Sequence, residues 1–288
     1  MTDLLGFIGL GLMGSAIASR LQSRHPLLVW NRTRSATAPL VQAGAEVADS
    51  AADVFDRCAT VFVLVTDERA VDEIVAPADL RQTTLVQMST VRPAYSAELA
   101  ARITTAGGRY VEAPVSGSRQ PALNGALIGM LAGSPHAVDE VAPLLDPVCA
   151  MIVRCGEPPR AMQMKLAVNT FLITLVSGLA ESFHFAETHE LDVRLLEQIL
   201  GAGPMASFVS RAKAAAIVAG DFAPQAAIPD VAKNARLVVA AARENGTTAT
   251  LMDACLELYA ETQALGHGGD DMAAVITAYR ARTAGRRS

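Results

Sequence analysis

Apolar residues along this chain come in two textures. Up to about residue 150 they form short runs, LLGFIGL, PLLVWN, TVFVLVT, TTLVQMS, RYVEAPV and LIGMLAG, separated by mixed segments. Short runs of this kind, bounded by Gly, Pro and polar residues, predict strands buried on both faces. The stretches between them place apolar residues on one helical face; in GSAIASRLQSR these are Ile17 and Leu21. Strands alternating with amphipathic helices predict βαβ units on a parallel sheet. Past about residue 160 the strand-like runs stop. Ala-, Leu- and Val-rich segments follow at 161–189, 192–200, 205–219, 229–245, 248–265 and 270–282, and they predict helices. The expected organisation is an α/β domain over 1–160 and an all-helical domain over 161–288. The join falls at CGEPPRAMQMK, where Gly and two prolines precede a helix start.

Composition changes this picture little. The 288 residues are 51% apolar and 18% charged, which suits a globular protein long enough for two modest domains. A net charge of -5 leaves no electrostatic footprint for nucleic acid. Arg280, Arg282, Arg286 and Arg287 read as a short solvated tail. The longest apolar run, LAVNTFLITLVSGLA at 166–180, is shorter than a membrane span and carries Asn169 near its start. It reads as a buried helix between domains or subunits, with no membrane as partner. No basic segment precedes the first strand, so no secretory signal is expected. Cys58, Cys149, Cys155 and Cys255 form no CxxC pair and read as reduced, mostly buried thiols of a cytoplasmic protein. Glu181 and His184 make one ExxH. Dimetal sites use that motif twice with extra carboxylates, so no metal is expected.

Chemistry enters at the first strand-to-helix turn. Gly9, Leu10, Gly11, Leu12, Met13 and Gly14 spell GxGxxG between a strand and a helix. The first glycine permits the tight turn, the second lets a pyrophosphate approach, and the third lets helix pack on strand. The helix then offers free N–H groups to the phosphates. This is the fingerprint of a Rossmann dinucleotide site. An NAD site usually carries Asp or Glu after the second strand; here the residues are Asn31, Arg32 and Thr33. Arg32 suits a 2′-phosphate, which favours NADP(H). The alternatives are an ordinary surface arginine, or Arg34 in the same role.

Two further features follow. Lys165 and Asn169 are one helical turn apart and share a face, an arrangement that suits a proton donor beside a carboxamide. Spacing alone fits a surface lysine equally well. In APVSGSRQPALNG, small residues and hydroxyls flank Gly117; such a loop can bind a carboxylate, or be a plain turn. Ser89 and Thr90 follow a buried strand, where an open α/β sheet holds its ligand; helix capping is the other reading.

These elements in this order resemble the β-hydroxyacid dehydrogenase family, which includes 3-hydroxyisobutyrate dehydrogenase, tartronate semialdehyde reductase and the glyoxylate/succinic semialdehyde reductases. The resemblance covers nearly the whole chain and rests on GFIGLGLMG, EAPVSGSRQPALNGAL, KLAVN, the Lys233 segment and GHGGDDMAAVI. NRT after the second strand and the SGSRQPA loop look most like the NADPH-using glyoxylate/succinic semialdehyde reductase branch. The resemblance implies a Rossmann domain and a helical domain joined by a long helix, in a homodimer. It makes Lys165 the acid/base and Asn169 its partner, and sets Thr90, Ser116, Gly117 and Ser118 against a carboxylate-bearing substrate. Val65 and Thr66 would line the adenosine side of the cofactor, Thr90 would also touch the nicotinamide end, and Lys233 would reach the cofactor from the helical domain. The implied reaction is direct hydride transfer from NADPH to a small aldehyde or keto acid, with Lys165 as proton donor.

Several positions depart from the family pattern. Asn234 follows Lys233 where the family often has Asp, Pro229 stands where a helix starts, and Glu190 replaces glycine in the usual Gly-Leu-Asp turn. Residues 205–228 show no second carboxylate receptor; Arg119, Arg211 and Lys213 are candidates only. The competing readings are oxidation of a β-hydroxy acid or β-hydroxy amino acid, and a catalytically silent NADP-binding scaffold. Imine reductases share the architecture but usually lack the lysine, so Lys165 argues against that activity.

Overall fold

The computed structural model describes residues 4–287. Met1, Thr2, Asp3 and Ser288, and the side chains of Arg286 and Arg287 in the basic tail, lie outside the described residues. The chain divides into two compact units, 1–165 and 166–288.

The first unit runs β1 (Leu5–Ile8), α1 (Leu12–Gln22), β2 (Leu27–Trp30), α2 (Ala38–Gln42), β3 (Glu46–Val47), α3 (Ala51–Arg57), β4 (Thr60–Val63), α4 (Glu68–Val75), β5 (Thr84–Gln87), α5 (Pro93–Thr105), β6 (Arg109–Glu112), β7 (Val115–Ser116), α6 (Arg119–Leu123), β8 (Leu127–Gly133), α7 (Pro135–Val141) and β9 (Cys149–Gly156). Strand order is β3-β2-β1-β4-β5-β6-β8-β7, with β9 on β8. The sheet is parallel from β3 to β6. It is not parallel throughout, because β8 runs antiparallel to β6 and β7.

β1, β2, β4, β5 and β6 bury both faces almost throughout, which is why their apolar residues form unbroken runs. Phe7, Val29, Phe62, Val86 and Val111 pack on one side with Ile17 and Leu21 of α1. Ile8, Leu28, Val61, Val63, Leu85 and Tyr110 pack on the other, against Val54, Val71, Leu99 and Ile103. β3, β7 and β9 were not among the expected strands. β3 and β7 have two residues each. β9 is an edge strand whose Met151 and Val153 stay exposed, so it lacks the buried apolar run of the others.

The second unit contains most of α8 (Arg160–Thr188), then α9 (Val193–Ala202), α10 (Phe208–Ala219), α11 (Ile228–Glu244), α12 (Thr250–Thr262) and α13 (Ile276–Arg287). The apolar run at 166–180 is one part of the 29-residue α8, which by length and composition would pass for a membrane span. A different need accounts for its apolarity: Ile173, Val176, Ala180 and Phe183 sit in the core of the helical unit with Val231, Ala235 and Tyr259. Pro229 falls in the first turn of α11, where a missing N–H costs nothing.

After α8 the chain turns as a glycine would turn it, but on Glu190, at φ 58°. Leu191 N–H closes the turn on the Ala186 carbonyl at 2.9 Å. Asp192 then caps α9 by accepting the N–H of Arg194 at 2.9 Å. His184 of the ExxH pair bonds the Thr283 hydroxyl at 2.7 Å and lies 3.7 Å from Glu187.

Candidate active site

Strand register brings the scattered motifs to one edge. Trp30, Ile8, Val63, Gln87 and Glu112 are successive Cα partners across β2, β1, β4, β5 and β6. One further step of the ladder follows, as Gly9 N–H donates to Trp30, Leu64 to Ile8, Met88 to Val63 and Ala113 to Gln87. Beyond it the strands end and the loops carrying residues 9–14, 31–33, 65–66, 89–90 and 114–118 begin. This is the carboxyl end of the sheet, and β1 lies at its topological switch point, where open α/β sheets bind ligands.

The glycine turn has the shape a dinucleotide needs. Gly9 has φ 100°, and a Cβ there would stand 2.1 Å from the Leu64 carbonyl oxygen. A Cβ on Gly14 would stand 2.0 Å from the Gly9 oxygen. Both positions are closed to any side chain by the protein itself. Gly11 is different: a Cβ there would meet nothing within 4 Å. It is the N-cap of α1 and offers no side chain to the first-turn N–H groups. Those donors and the helix dipole suit a pyrophosphate. Leu10 holds the turn from both sides, donating its N–H to Asn31 Oδ1 at 2.9 Å and accepting the Ser15 hydroxyl at 2.8 Å. Leu12 is exposed and Met13 half-buried.

Asn31 also donates its Nδ2 to the Thr33 carbonyl at 2.9 Å, so its amide is spent on bracing two loops. Arg32 and Thr33 are exposed beside it. Arg34 lies 3.9 Å from Asp49 at the surface. On the other side of β1, the Val65 N–H donates to Ser89 Oγ at 2.8 Å, and Ser89 N–H donates to the Gln87 side chain at 3.1 Å. Ser89 therefore ties the β4 and β5 loops together and does not cap α5, whose N-cap is Arg92. Thr66 is exposed and Thr90 half-buried.

The loop after β6 is pinned as a hairpin, with Val115 opposite Gly129 and Ser116 opposite Ile128. Gly117 has φ 130°, and a Cβ on it would meet Leu127 at 2.4 Å, so the turn needs glycine. Ser118 is the N-cap residue of α6, with its hydroxyl unused in capping. Ser116 and Ser118 are half-buried.

Lys165 and Asn169 both lie on α8 and are buried, at 8% and 2% exposure, which sets aside the surface-lysine reading. Asn169 Nδ2 is buried with no hydrogen-bond partner among the described residues. Lys233 is half-buried on α11 in the helical unit, and Asn234 Oδ1 next to it is buried with no hydrogen-bond partner among the described residues. Of the substrate-side cations, Lys213 is committed elsewhere: its Nζ lies 2.7 and 2.9 Å from the two oxygens of buried Asp271. Arg211 donates to the Gly201 carbonyl at 3.1 Å, and Arg119 is exposed.

Sequence reasoning passed over Glu112. It is fully buried and takes hydrogen bonds from α5 and from the first turn of α8. A carboxylate inside the buried run YVEAPV was the available signal.

Residues 4–156 match the NAD binding domain of 6-phosphogluconate dehydrogenase, and residues 160–279 match the NAD-binding region of NADP-dependent 3-hydroxyisobutyrate dehydrogenase. The chain belongs to the β-hydroxyacid dehydrogenase family. Within that family it is 31% identical over 283 residues to glyoxylate/succinic semialdehyde reductase 1 of Arabidopsis thaliana, covering 96% of this chain and 98% of that one. It is 32% identical to the cytokine-like nuclear factor N-PAC of Xenopus tropicalis, covering 96% of this chain and 53% of that protein. The chain thus spans about half the length of the N-PAC relatives it matches. In fold it is similar to the crystal structure of 3-hydroxyisobutyrate dehydrogenase from Salmonella typhimurium, with a TM-score of 0.86 at 23% identity over 96% and 99% of the two chains.

Proposed function

We propose that this protein is an NADPH-dependent reductase of small aldehyde or keto acids, of the glyoxylate/succinic semialdehyde type. The observation that carries the reading is a lysine buried on α8, one turn before a buried carboxamide with an unused donor. Burying an ammonium is costly and is kept where the group has a partner or a task. The full-length similarity to the Arabidopsis reductase points to the aldehyde acids.

Hydride chemistry is what NADP(H) supplies when bound. The glycine turn and the α1 N-terminus hold its phosphates, and Arg32 holds the 2′-phosphate. Val65 and Thr66 would line its adenosine side. Thr90, Ser116, Gly117 and Ser118 bind the substrate carboxylate and orient the carbonyl. Lys165 Nζ gives its proton to the carbonyl oxygen as that oxygen gains charge, and Asn169 Nδ2 keeps the oxygen in reach by donating a hydrogen bond. In reverse the same residues would oxidise a β-hydroxy acid such as 3-hydroxyisobutyrate or serine. A homodimer fits the exposed apolar side chains of α8 to α10, since Phe171, Ile199 and Phe208 are exposed and no residue of α9 is buried.

The test is loss of NADPH absorbance with glyoxylate and with succinic semialdehyde, NADH serving as comparison. Rapid turnover with NADPH supports the reading. No turnover with either aldehyde, but NADP⁺ reduction by serine or 3-hydroxyisobutyrate, would reverse the physiological direction. A match to a protein named as a nuclear factor, N-PAC, keeps open a second reading, in which this chain is a silent NADP-binding scaffold. In that case Lys165→Ala would leave every measured property unchanged, whereas an enzyme loses turnover by roughly 10²- to 10⁴-fold while still binding cofactor.

A further inference from the structure

The end of β6 carries a buried carboxyl that the proposed chemistry leaves unused. Glu112 is 0% exposed, and its two oxygens serve two different helices. Oε1 accepts the Ser96 hydroxyl of α5, and that hydroxyl is also 2.6 Å from the Tyr110 hydroxyl. Oε2 accepts the backbone N–H groups of Ala161 at 2.9 Å and Met162 at 3.3 Å. Both belong to the first turn of α8, whose leading N–H groups have no acceptor within the helix. The dipole of a 29-residue helix adds partial positive charge at that end. A residue 49 positions away thus supplies the cap. Lys165 follows Ala161 by one helical turn.

We propose that Glu112 is a positioning residue: its carboxyl fixes the first turn of α8 and thereby the place of the Lys165 ammonium. The inference rests on the reading of Lys165 as proton donor. A short carboxyl held between a sheet strand and two backbone donors leaves that turn little freedom to slide or fray. Without it, the first turn would open to solvent and the Lys165 side chain would lose its base.

Burial pushes the Glu112 carboxyl up to about 7, against the opposing pull of Ser96 and the two α8 amides. The titratable groups facing it are Tyr110 on β6 and Cys155 on β9, both pushed up chiefly by burial, with Tyr95 beside Ser96 on α5. Arg160 and Lys165 bracket the contact on α8 itself. The cap therefore changes charge near neutral pH, and an ionised carboxylate accepts N–H bonds more strongly than a neutral acid.

Two substitutions separate the effects. In Glu112→Gln the amide oxygen can accept from Ala161 and Met162, while the NH₂ donates to Ser96, which then donates to Tyr110. The cap survives without its charge. In Glu112→Ala the cap is gone. For wild type and both variants we would measure amide hydrogen exchange over 161–165, NADPH affinity, and kcat and KM across pH 5.5 to 9. Expected for Glu112→Ala are exchange faster by at least about tenfold, kcat lower by at least about tenfold, and NADPH affinity within about twofold of wild type. Glu112→Gln retains protection and most turnover, but its kcat ratio to wild type shifts at least about threefold across pH 7. Should Glu112→Ala not fold, that pH-dependent ratio decides the matter. Faster exchange with unchanged kcat, or superimposable pH profiles for wild type and Glu112→Gln, would overturn the positioning role. Wild-type protein that turns over no aldehyde acid or hydroxy acid would instead overturn the reading of Lys165.

Discussion

Asn31 Oδ1 accepts the backbone N–H of Leu10 at 2.9 Å, so the residue after β2 holds the glycine turn after β1. In an NAD site this position usually carries a carboxylate for the ribose. Here the side chain is spent on the protein, and in the proposed NADP(H) site the neighbouring exposed Arg32 would meet the ribose end of the cofactor. Arg32→Ala is expected to weaken NADPH binding by about 1.5–3 kcal/mol while leaving NADH binding within twofold, because only the 2′-phosphate loses a charged hydrogen bond. Asn31→Ala should weaken both cofactors together, by about 1 kcal/mol. Titration calorimetry with the two cofactors distinguishes these patterns, and an equal loss for both in Arg32→Ala would remove the arginine from the site.

The three fingerprint glycines are expected to fail in different ways. Gly9→Ala and Gly14→Ala drive a Cβ into backbone oxygen at 2.1 and 2.0 Å. Each should lose about 3 kcal/mol or more of stability. Gly11→Ala meets open space, so its melting should change by less than about 1 kcal/mol while NADPH affinity falls tenfold or more. Thermal unfolding with and without NADPH measures both quantities. A Gly11→Ala protein with native affinity would mean that no phosphate approaches there.

Lys213 and Asp271 form a buried pair in the helical unit. Asp271 also accepts the N–H groups of Gln225 and Ala226 at 3.0 Å and of Ala273 at 3.1 Å. Lys213→Met strands that carboxylate and should cost about 3–5 kcal/mol. Adding Asp271→Asn should recover part of the loss, since the amide oxygen still accepts backbone donors. Urea unfolding of the single and double variants tests this; additive losses would contradict coupling.

Glu190 holds a left-handed backbone without being glycine. Glu190→Gly should raise stability by about 1 kcal/mol, seen as a higher Tm at unchanged activity. A lower Tm would show that the Glu190 side chain contributes more than the strain costs.

Glu112 also makes stability depend on pH. Its folded pKa is raised from 4.5 to about 7, so between those values the native state binds a proton that the unfolded chain releases. Its contribution is full below pH 4.5, declines as pH rises, and is lost above about 7, a change on the order of 3 kcal/mol. Denaturant unfolding from pH 4.5 to 8 should show this fall in wild type and a flatter curve in Glu112→Gln. Parallel curves would mean that the carboxyl does not titrate in that range.

Much of the fold was legible because local signals agreed with the global arrangement. Runs such as TVFVLVT are strands because both faces of the sheet are covered, and no polar alternation interrupts them. GxGxxG was readable because its chemistry is local: two glycines are needed by the backbone and one by the ligand. Edge strand β9 escaped notice because an exposed edge has no continuous buried run to betray it. Glu112 and Ser89 escaped as structural ties because their partners are distant in sequence: Glu112 binds Ala161 from 49 positions away, and Ser89 binds Val65 from 24.

By itself the sequence determined the alternation of elements, the change to helices near residue 160, the glycine turn, and the one-turn spacing of Lys165 and Asn169. Each follows from periodicity or from the backbone needs of single residues. Only the tertiary structure decided that Lys165 is buried, that Lys213 is committed to Asp271, that Asn31 braces Leu10, and that a β6 carboxyl caps α8. Those depend on strand register and packing, which bring residues together across distances that no local pattern records.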